Sequence, residues 1–204
     1  MVLAAGAGER LGGLPKALIR VHGRTLLERL VAALTEAGAG EIVIVLGHYA
    51  GRVRSVITER PGQRVVNVAA GEQADSLRAG LTALRPGDNP VMVCLTDQPL
   101  IDAGALAAVR AAYAQRPAGI DMLVPWVNDA PGNPVMMSRA VVDDLLAPGP
   151  ALTGKAWRER HHQRVTRWDS DNPAYSTDLD SPADLERLRD AGWHIELPAG
   201  TMPI

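Results

Sequence analysis

The chain has no phenylalanine, 3% aromatic residues and one cysteine in 204 residues. Without rings to stack, its core must come from Leu, Val, Ala, Ile and Met. The lone Cys94 excludes an intrachain disulfide and fits a reducing, cytoplasmic setting. It lies inside the apolar run Val91-Met92-Val93-Cys94-Leu95, where a thiol packs as a small hydrophobe, so a buried structural role is expected. An excess of charge of one sign is also missing. A formal net charge of −2 gives no support to a general nucleic-acid or membrane-surface role, so any polyanion site must be local. No apolar run approaches the length of a membrane span. The opening is apolar for only five residues and has no basic lead, unlike a signal peptide. Repeats, low-complexity tracts and linkers are lacking too, and residues 1–204 are expected to form one domain.

What is present is concentrated at the start. Val2-Leu3-Ala4-Ala5-Gly6-Ala7-Gly8-Glu9-Arg10-Leu11-Gly12-Gly13-Leu14-Pro15-Lys16 runs from a short apolar segment into a glycine loop that delivers Arg10 and Lys16. Glycines let a backbone turn sharply and approach a ligand, so successive amides point at one anion. Two cations on the same loop add fixed charge to those dipoles, and the segment reads as a polyphosphate cradle. It is neither a Walker loop, which closes in Gly-Lys-Ser/Thr, nor the dinucleotide pattern G-x-G-x-x-G. The plain alternative is a βα turn whose glycines serve packing alone.

Apolar runs without clean alternation, each followed by helical periodicity, predict buried strands over 42–46, 64–68, 91–95, 122–127 and 165–169. Helices are expected over 25–37, 50–58, 75–84, 103–115, 153–161 and 181–191, the last with Ser181 as cap and Asp184 at the third helical position. This βαβα order predicts an α/β three-layer sandwich around a mostly parallel sheet, with ligand beyond the carboxyl ends of the strands. The 6–16 loop, Gly47-His48, the 69–76 segment and Asp97 all fall at such ends.

Thr96-Asp97-Gln98-Pro99 follows a buried strand, which leaves a carboxylate at the crevice. It suits Mg²⁺, which binds through one or two carboxylates plus substrate phosphates. The alternative is a cap on the next helix. The 70–81 segment opens a helix with small polar residues, where Asp75 or Ser76 could cap and free amides favour an anion. His161-His162 has no partner cluster with metal-ligand spacing and reads as a surface helix end.

Gly6, Gly8, Arg10, Gly12, Pro15 and Lys16, with Asp97-x-Pro99 and Asp178-Leu179-Asp180-Ser181-Pro182-Ala183-Asp184-Leu185, resemble the molybdenum-cofactor nucleotidyltransferase-like family. The resemblance runs from Val2 to about Leu188 and implies the Rossmann-like, glycosyltransferase-A-type nucleotidyltransferase fold. It implies nucleotide contacts by Leu3, Ala4, Ala5, Gly6, Gly8, Gly71 and Ser76, and catalytic roles for Arg10, Lys16 and Asp97. Mg²⁺ would sit on Asp97 and Asp180, with Asp184 as a helix cap and Asp178 open to either job. Gly132, Asn133 and Pro134 resemble the acceptor-side Gly-His-Pro loop, with Asn in place of His.

The opening Leu3-Ala4-Ala5-Gly6 and the helix start Ser76-Leu77-Arg78-Ala79-Gly80-Leu81 favour the cytidylyltransferase-like branch over the guanylyl one. The partners implied are CTP, a phosphorylated acceptor such as molybdopterin, and transient contact with a molybdenum enzyme or its chaperone. Pro15-Lys16-Ala17-Leu18 looks equally like sugar-phosphate nucleotidyltransferases, and 153–157 departs from the Gly-Asp-x-Gly-Ala pattern of the molybdenum enzymes. Two alternatives therefore stand: another NTP with a sugar-phosphate or other acceptor, and a non-catalytic nucleotide-binding maturation partner.

Overall fold

The computed structural model describes residues 1–57, 59–69, 72–87 and 89–199. In chain order its elements are β1 (Val2–Ala4), β2 (Arg20–Val21), β3 (Arg24–Thr25), α1 (Leu26–Glu36), β4 (Ile42–Leu46), α2 (Ala50–Arg54), β5 (Gln63–Asn67), α3 (Gln73–Ala83) and β6 (Val91–Leu95). There follow α4 (Ala103–Ala114), β7 (Met122–Val127), β8 (Ala130–Pro131), β9 (Val135–Met137), α5 (Arg139–Leu146), α6 (Gly154–Arg160), β10 (Val165–Asp169), α7 (Pro182–Asp190) and β11 (Ile195–Glu196). The main sheet has the order β10-β7-β9-β6-β1-β4-β5, with β8 paired to β7.

β4 explains the layering. All five of its residues are buried, as expected of a strand covered on both faces. Ile42, Ile44 and Leu46 point into the core under α1 and α4, whereas Val43 and Val45 point into the one under α3 and α5. β1 lies between β4 and β6, parallel to both, so the glycine loop leaves the centre of the sheet at its carboxyl edge. Helix α1 begins with a capping box: Glu28 N donates to Thr25 Oγ1 at 3.1 Å and Thr25 N donates to Glu28 Oε2 at 2.8 Å. Cys94 is buried in the same core, and burial pushes its thiol up to about 11, so it is inert packing.

Four strand ranges coincide with the sequence reading, and the fifth strand, β5, starts and ends one residue earlier than expected. α2 is shorter than expected, ending at Arg54; Thr58, at the end of the expected range, lies outside the described residues. Helix α5 and strand β8 were not read from the sequence, nor was β9, inserted antiparallel between β6 and β7. Its three residues are too few to show a period, and only long-range pairing defines them. A small sheet, β11-β2-β3, was also not read from the sequence. Among the described residues, no helix is long and apolar enough to cross a membrane.

Candidate active site

A third apolar cluster, separate from the two faces of the main sheet, assembles the site. Leu11, Leu14 and Ile19 from the glycine-loop region pack against Leu179, Leu185 and Leu188 around α7. This docking carries the acid-rich C-terminal turn to the N-terminal loop. The turn is held in place by α7's own cap, because Asp184 Oδ2 accepts from Asp180 N at 3.0 Å and Ser181 N at 2.7 Å. A second tie comes from Leu179 N, which donates to the Asp97 carbonyl at 2.8 Å. The ends of β6 and α7 are thereby fixed side by side.

The loop folds back on itself. Leu11 N and Gly13 N donate to the Gly8 carbonyl at 2.9 and 3.1 Å. Gly8 has φ +64° and a Cβ there would run into the Leu14 carbonyl, so only glycine fits. Gly6 has open space where a Cβ would stand and lines the crevice. Tyr49, at the start of α2, donates its hydroxyl to the Gly13 carbonyl and anchors the outer edge of the loop.

Four charged side chains converge at the end of this loop. Lys16 Nζ donates to Asp97 Oδ2 at 2.9 Å and also pairs with Asp180 Oδ1. Arg10 pairs with the other oxygen of Asp180 at 2.8 Å. Burial alone would lower the Lys16 pKa, but the adjoining Asp97 and Asp180 charges outweigh it and hold the ammonium above its ordinary value. Asp97 Oδ1 is buried without a hydrogen-bond partner. A buried, unpartnered carboxylate oxygen, on a residue that shares Lys16 with a second carboxylate, is a donor set that fits a divalent cation shared with phosphate oxygens. The cap alternative for Asp97 is not realised: α4 is capped by Asp102, whose Oδ1 accepts from Ala105 N at 2.7 Å.

The crevice around this cluster holds about 450 Å³. Leu3, Ala4, Ala5, Gly6, Gly8, Arg10, Lys16, Ser76, Asp97 and Asp180 all line it, so ten residues singled out from the sequence share one wall. Ser76 is buried in α3, which starts at Gln73, two residues earlier than expected. Neither Asp75 nor Ser76 is the cap, since that position belongs to Glu72. Gly71 lies outside the described residues. His48 is not among the lining residues and packs edge-on against Tyr49 instead, with ring centroids 4.6 Å apart. Tyr49, Val53 and Gln73 line the crevice and were missed. The available signal for Tyr49 was its place just past the end of β4.

A second cavity of about 220 Å³ adjoins the first, and Leu3, Gln73 and Leu95 belong to both. Gly132 and Asn133 line it, whereas Pro134 does not. Gly132 has a packing duty too, because a Cβ there would strike the Tyr175 carbonyl. Lys155 and Arg158 from α6 also line this cavity and were not assigned a role from sequence. His161 stacks on Trp157 with centroids 4.5 Å apart, and no cluster of three or more metal-type ligands occurs among the described residues.

Residues 1–165 match the family model of the MobA-like NTP transferase domain. The chain belongs to that family. The chain is 34% identical over 158 residues to the nicotine blue oxidoreductase of Paenarthrobacter nicotinovorans, covering 75% of this chain and 74% of that one. It is 32% identical over 141 residues to the bifunctional protein GlmU of Mycobacterium marinum, covering 65% of this chain but only 28% of GlmU's length. Among solved structures, Rv0371c of Mycobacterium tuberculosis aligns with a TM-score of 0.77 at 29% identity, over 93% of this chain and 96% of that one. The same protein has been solved in complex with manganese, and that structure aligns with a TM-score of 0.73 at 26% identity, over the same shares of the two chains. The part of the chain that matches is thus an NTP transferase domain of the MobA-like type, on the fold that the Rv0371c structures share.

One carboxylate of this MobA-like site is stressed. Burial, then the negative charge of Asp97, pushes the Asp178 carboxyl up to about 6, and its Oδ1 is buried without a partner. A carboxyl raised above its unfolded value near 3.9 holds its proton more tightly in the folded state. Stability is therefore lost as pH rises from about 4 to about 6, and the loss is complete above that window. In metal-free protein, Asp178→Asn is expected to be more stable than wild type by about 1 kcal/mol near neutral pH, after discounting for partial exposure, with the gain gone below about pH 4. Denaturant melts at the two pH values check this, and a gain that is equal at both contradicts it.

Proposed function

We propose that this MobA-like domain, extending over residues 1–204, transfers CMP from CTP to a phosphorylated acceptor and releases pyrophosphate, with molybdenum-bound molybdopterin as the acceptor. The observation that carries the reading is the convergence of Lys16, Arg10, Asp97 and Asp180 at the rim of the glycine loop. CTP is favoured by the Leu3-Ala4-Ala5-Gly6 opening and the Ser76-Leu77 helix start. The work is cytoplasmic, and the product passes by transient contact to a molybdenum enzyme or its chaperone.

Arg10 and the amides of the glycine loop hold the β- and γ-phosphates. Lys16 holds the α-phosphate and the developing charge on the leaving pyrophosphate. An oxygen of the acceptor phosphate forms the new bond to the α-phosphorus as the bond to the pyrophosphate bridge breaks. That oxygen is mostly ionised at neutral pH, since a phosphomonoester has its second pKa near about 6, so no general base is needed. Catalysis is alignment and charge neutralisation. Mg²⁺ held by Asp97 and Asp180 would supply further neutralisation of phosphate oxygens.

The name of the Paenarthrobacter relative suggests hydride transfer as a second reading. Hydride transfer gives no work to two carboxylates beside a phosphate cradle, whereas nucleotidyl transfer uses all four charged groups. Pyrophosphate release measured with CTP, GTP, UTP and ATP against molybdopterin and sugar-phosphate acceptors separates the readings. Release with CTP and the pterin acceptor is expected. Release with another pair redirects the substrate assignment, and NADPH binding with no release for any pair contradicts nucleotidyl transfer.

A further inference from the structure

We propose that the second cavity selects an acceptor carrying, besides its reacting phosphate, a second anionic group, and that Lys155 and Arg158 recognise that group. The inference rests on the nucleotidyl-transfer reading and adds the class of acceptor to it.

The cavity adjoins the nucleotide crevice and shares Leu3, Gln73 and Leu95 with it, which puts an acceptor held there next to the crevice where the nucleotide is proposed to lie. Lys16, Asp97 and Asp180 do not line it, which makes its two cations a separate charge site from the one that handles the triphosphate. Arg158 is half-buried, and its guanidinium has no hydrogen bond or ion pair among the described residues. Arg164, by contrast, is matched: it pairs with Asp121 at 2.8 Å and with Asp144 at 3.1 Å. Among the described residues Lys155 meets only Glu159, at 3.9 Å between largely exposed groups, a contact that holds the ammonium weakly. A forked guanidinium and an ammonium one helical turn apart, both facing a cavity without a carboxylate in its lining, form a receptor for an anion.

The floor sets the rest of the class. Leu77, Val93, Met122, Val135 and Met137 are apolar, and the Thr153 hydroxyl oxygen already accepts from Ala156 N at 3.0 Å, which leaves the Gln73 and Asn133 amides as the main neutral side-chain partners. A hexose phosphate would bring a ring of hydroxyls to this floor, where few partners wait, and each buried hydroxyl left unpaired costs binding. A body with an apolar face and an anion at its far end satisfies floor and rim together.

The test uses the full chain loaded with Mg²⁺ and a non-hydrolysable CTP analogue, titrated with three phosphomonoesters and followed by phosphorus NMR. Phosphoglycolate carries a second anion, ethyl phosphate carries none, and glucose 1-phosphate offers hydroxyls instead. Wild type is expected to bind phosphoglycolate about tenfold more tightly than either of the others. The double variant Lys155→Gln/Arg158→Gln brings the three within about twofold while still taking up the CTP analogue, and Arg158→Lys, which keeps the charge, retains most of the preference. Equal affinities in wild type, or a preference that survives the double variant, overturn the inference and leave the nucleotidyl-transfer reading standing. Failure of wild type to bind the CTP analogue removes CTP as the donor on which the inference rests, and the inference with it.

Discussion

Lys16→Ala lowers turnover by about three orders of magnitude while the chain stays folded. Among the described residues the ammonium is the one cation in contact with both Asp97 and Asp180, and in the proposed reaction it meets the charge that develops on the α-phosphate. A preorganised donor at such a point is worth about 10²–10³ in rate, and the loss of a full charge falls at the upper end. Stability suffers less. The paired side chains retain 17–25% of their exposure, so breaking the contacts costs about 1–2 kcal/mol rather than the larger penalty of a fully buried pair. A second readout separates chemistry from folding. In the absence of nucleotide, Lys16→Ala takes up Mn²⁺ about tenfold more tightly than wild type, because two carboxylates lose the ammonium that neutralises them. Turnover near the wild-type level in a folded Lys16→Ala protein contradicts the assignment.

Asp97→Asn has the other large effect. The substitution keeps the shape of the side chain and removes its charge, so the backbone tie to Leu179 and the β6 terminus survive. The oxygen that is buried and unpartnered in the wild type then becomes part of a neutral amide, a far poorer partner for a dication. Magnesium-dependent nucleotide binding is expected to weaken by about a hundredfold and turnover by about a thousandfold. Asp180→Asn follows in the same direction by a smaller margin, since Arg10 also leans on that carboxylate. Titration of the nucleotide with and without Mg²⁺ checks both variants. A metal effect that persists unchanged in Asp97→Asn places the cation elsewhere.

Much of the framework was legible because its signals are local. Five consecutive apolar residues at Ile42–Leu46, all buried, and at Val91–Leu95, three of them buried, leave little choice but an interior strand. The box at Ser181 and Asp184 fixes a helix start from four residues. The glycine loop exposes its purpose because Gly6 and Gly8 bracket a turn that ends in two cations.

What stayed hidden depends on distant partners. Lys16 and Asp180 are 164 residues apart, and only the packing of Leu11 and Leu14 on Leu179 and Leu185 unites them. Family resemblance implied Asp180 as a metal ligand and Lys16 as a phosphate contact, and nothing along the chain foretold that the two would pair. β9 is three residues long, and its neighbours β6 and β7 define it. Tyr49, Gln73, Lys155 and Arg158 carry no motif; each reaches a cavity because of where its helix starts or packs. Helical periodicity foretold α6 within a residue at each end, yet it could not foretell that two cations on that helix would line a pocket beside the nucleotide crevice.

The most direct test of the account is calorimetric titration of the chain with CTP, with and without Mg²⁺, in wild type and in Asp97→Ala. The account predicts CTP binding that is tight only with Mg²⁺, weaker for GTP, UTP and ATP, and lost in Asp97→Ala. Absence of nucleotide binding, or binding indifferent to both the metal and Asp97, would contradict it.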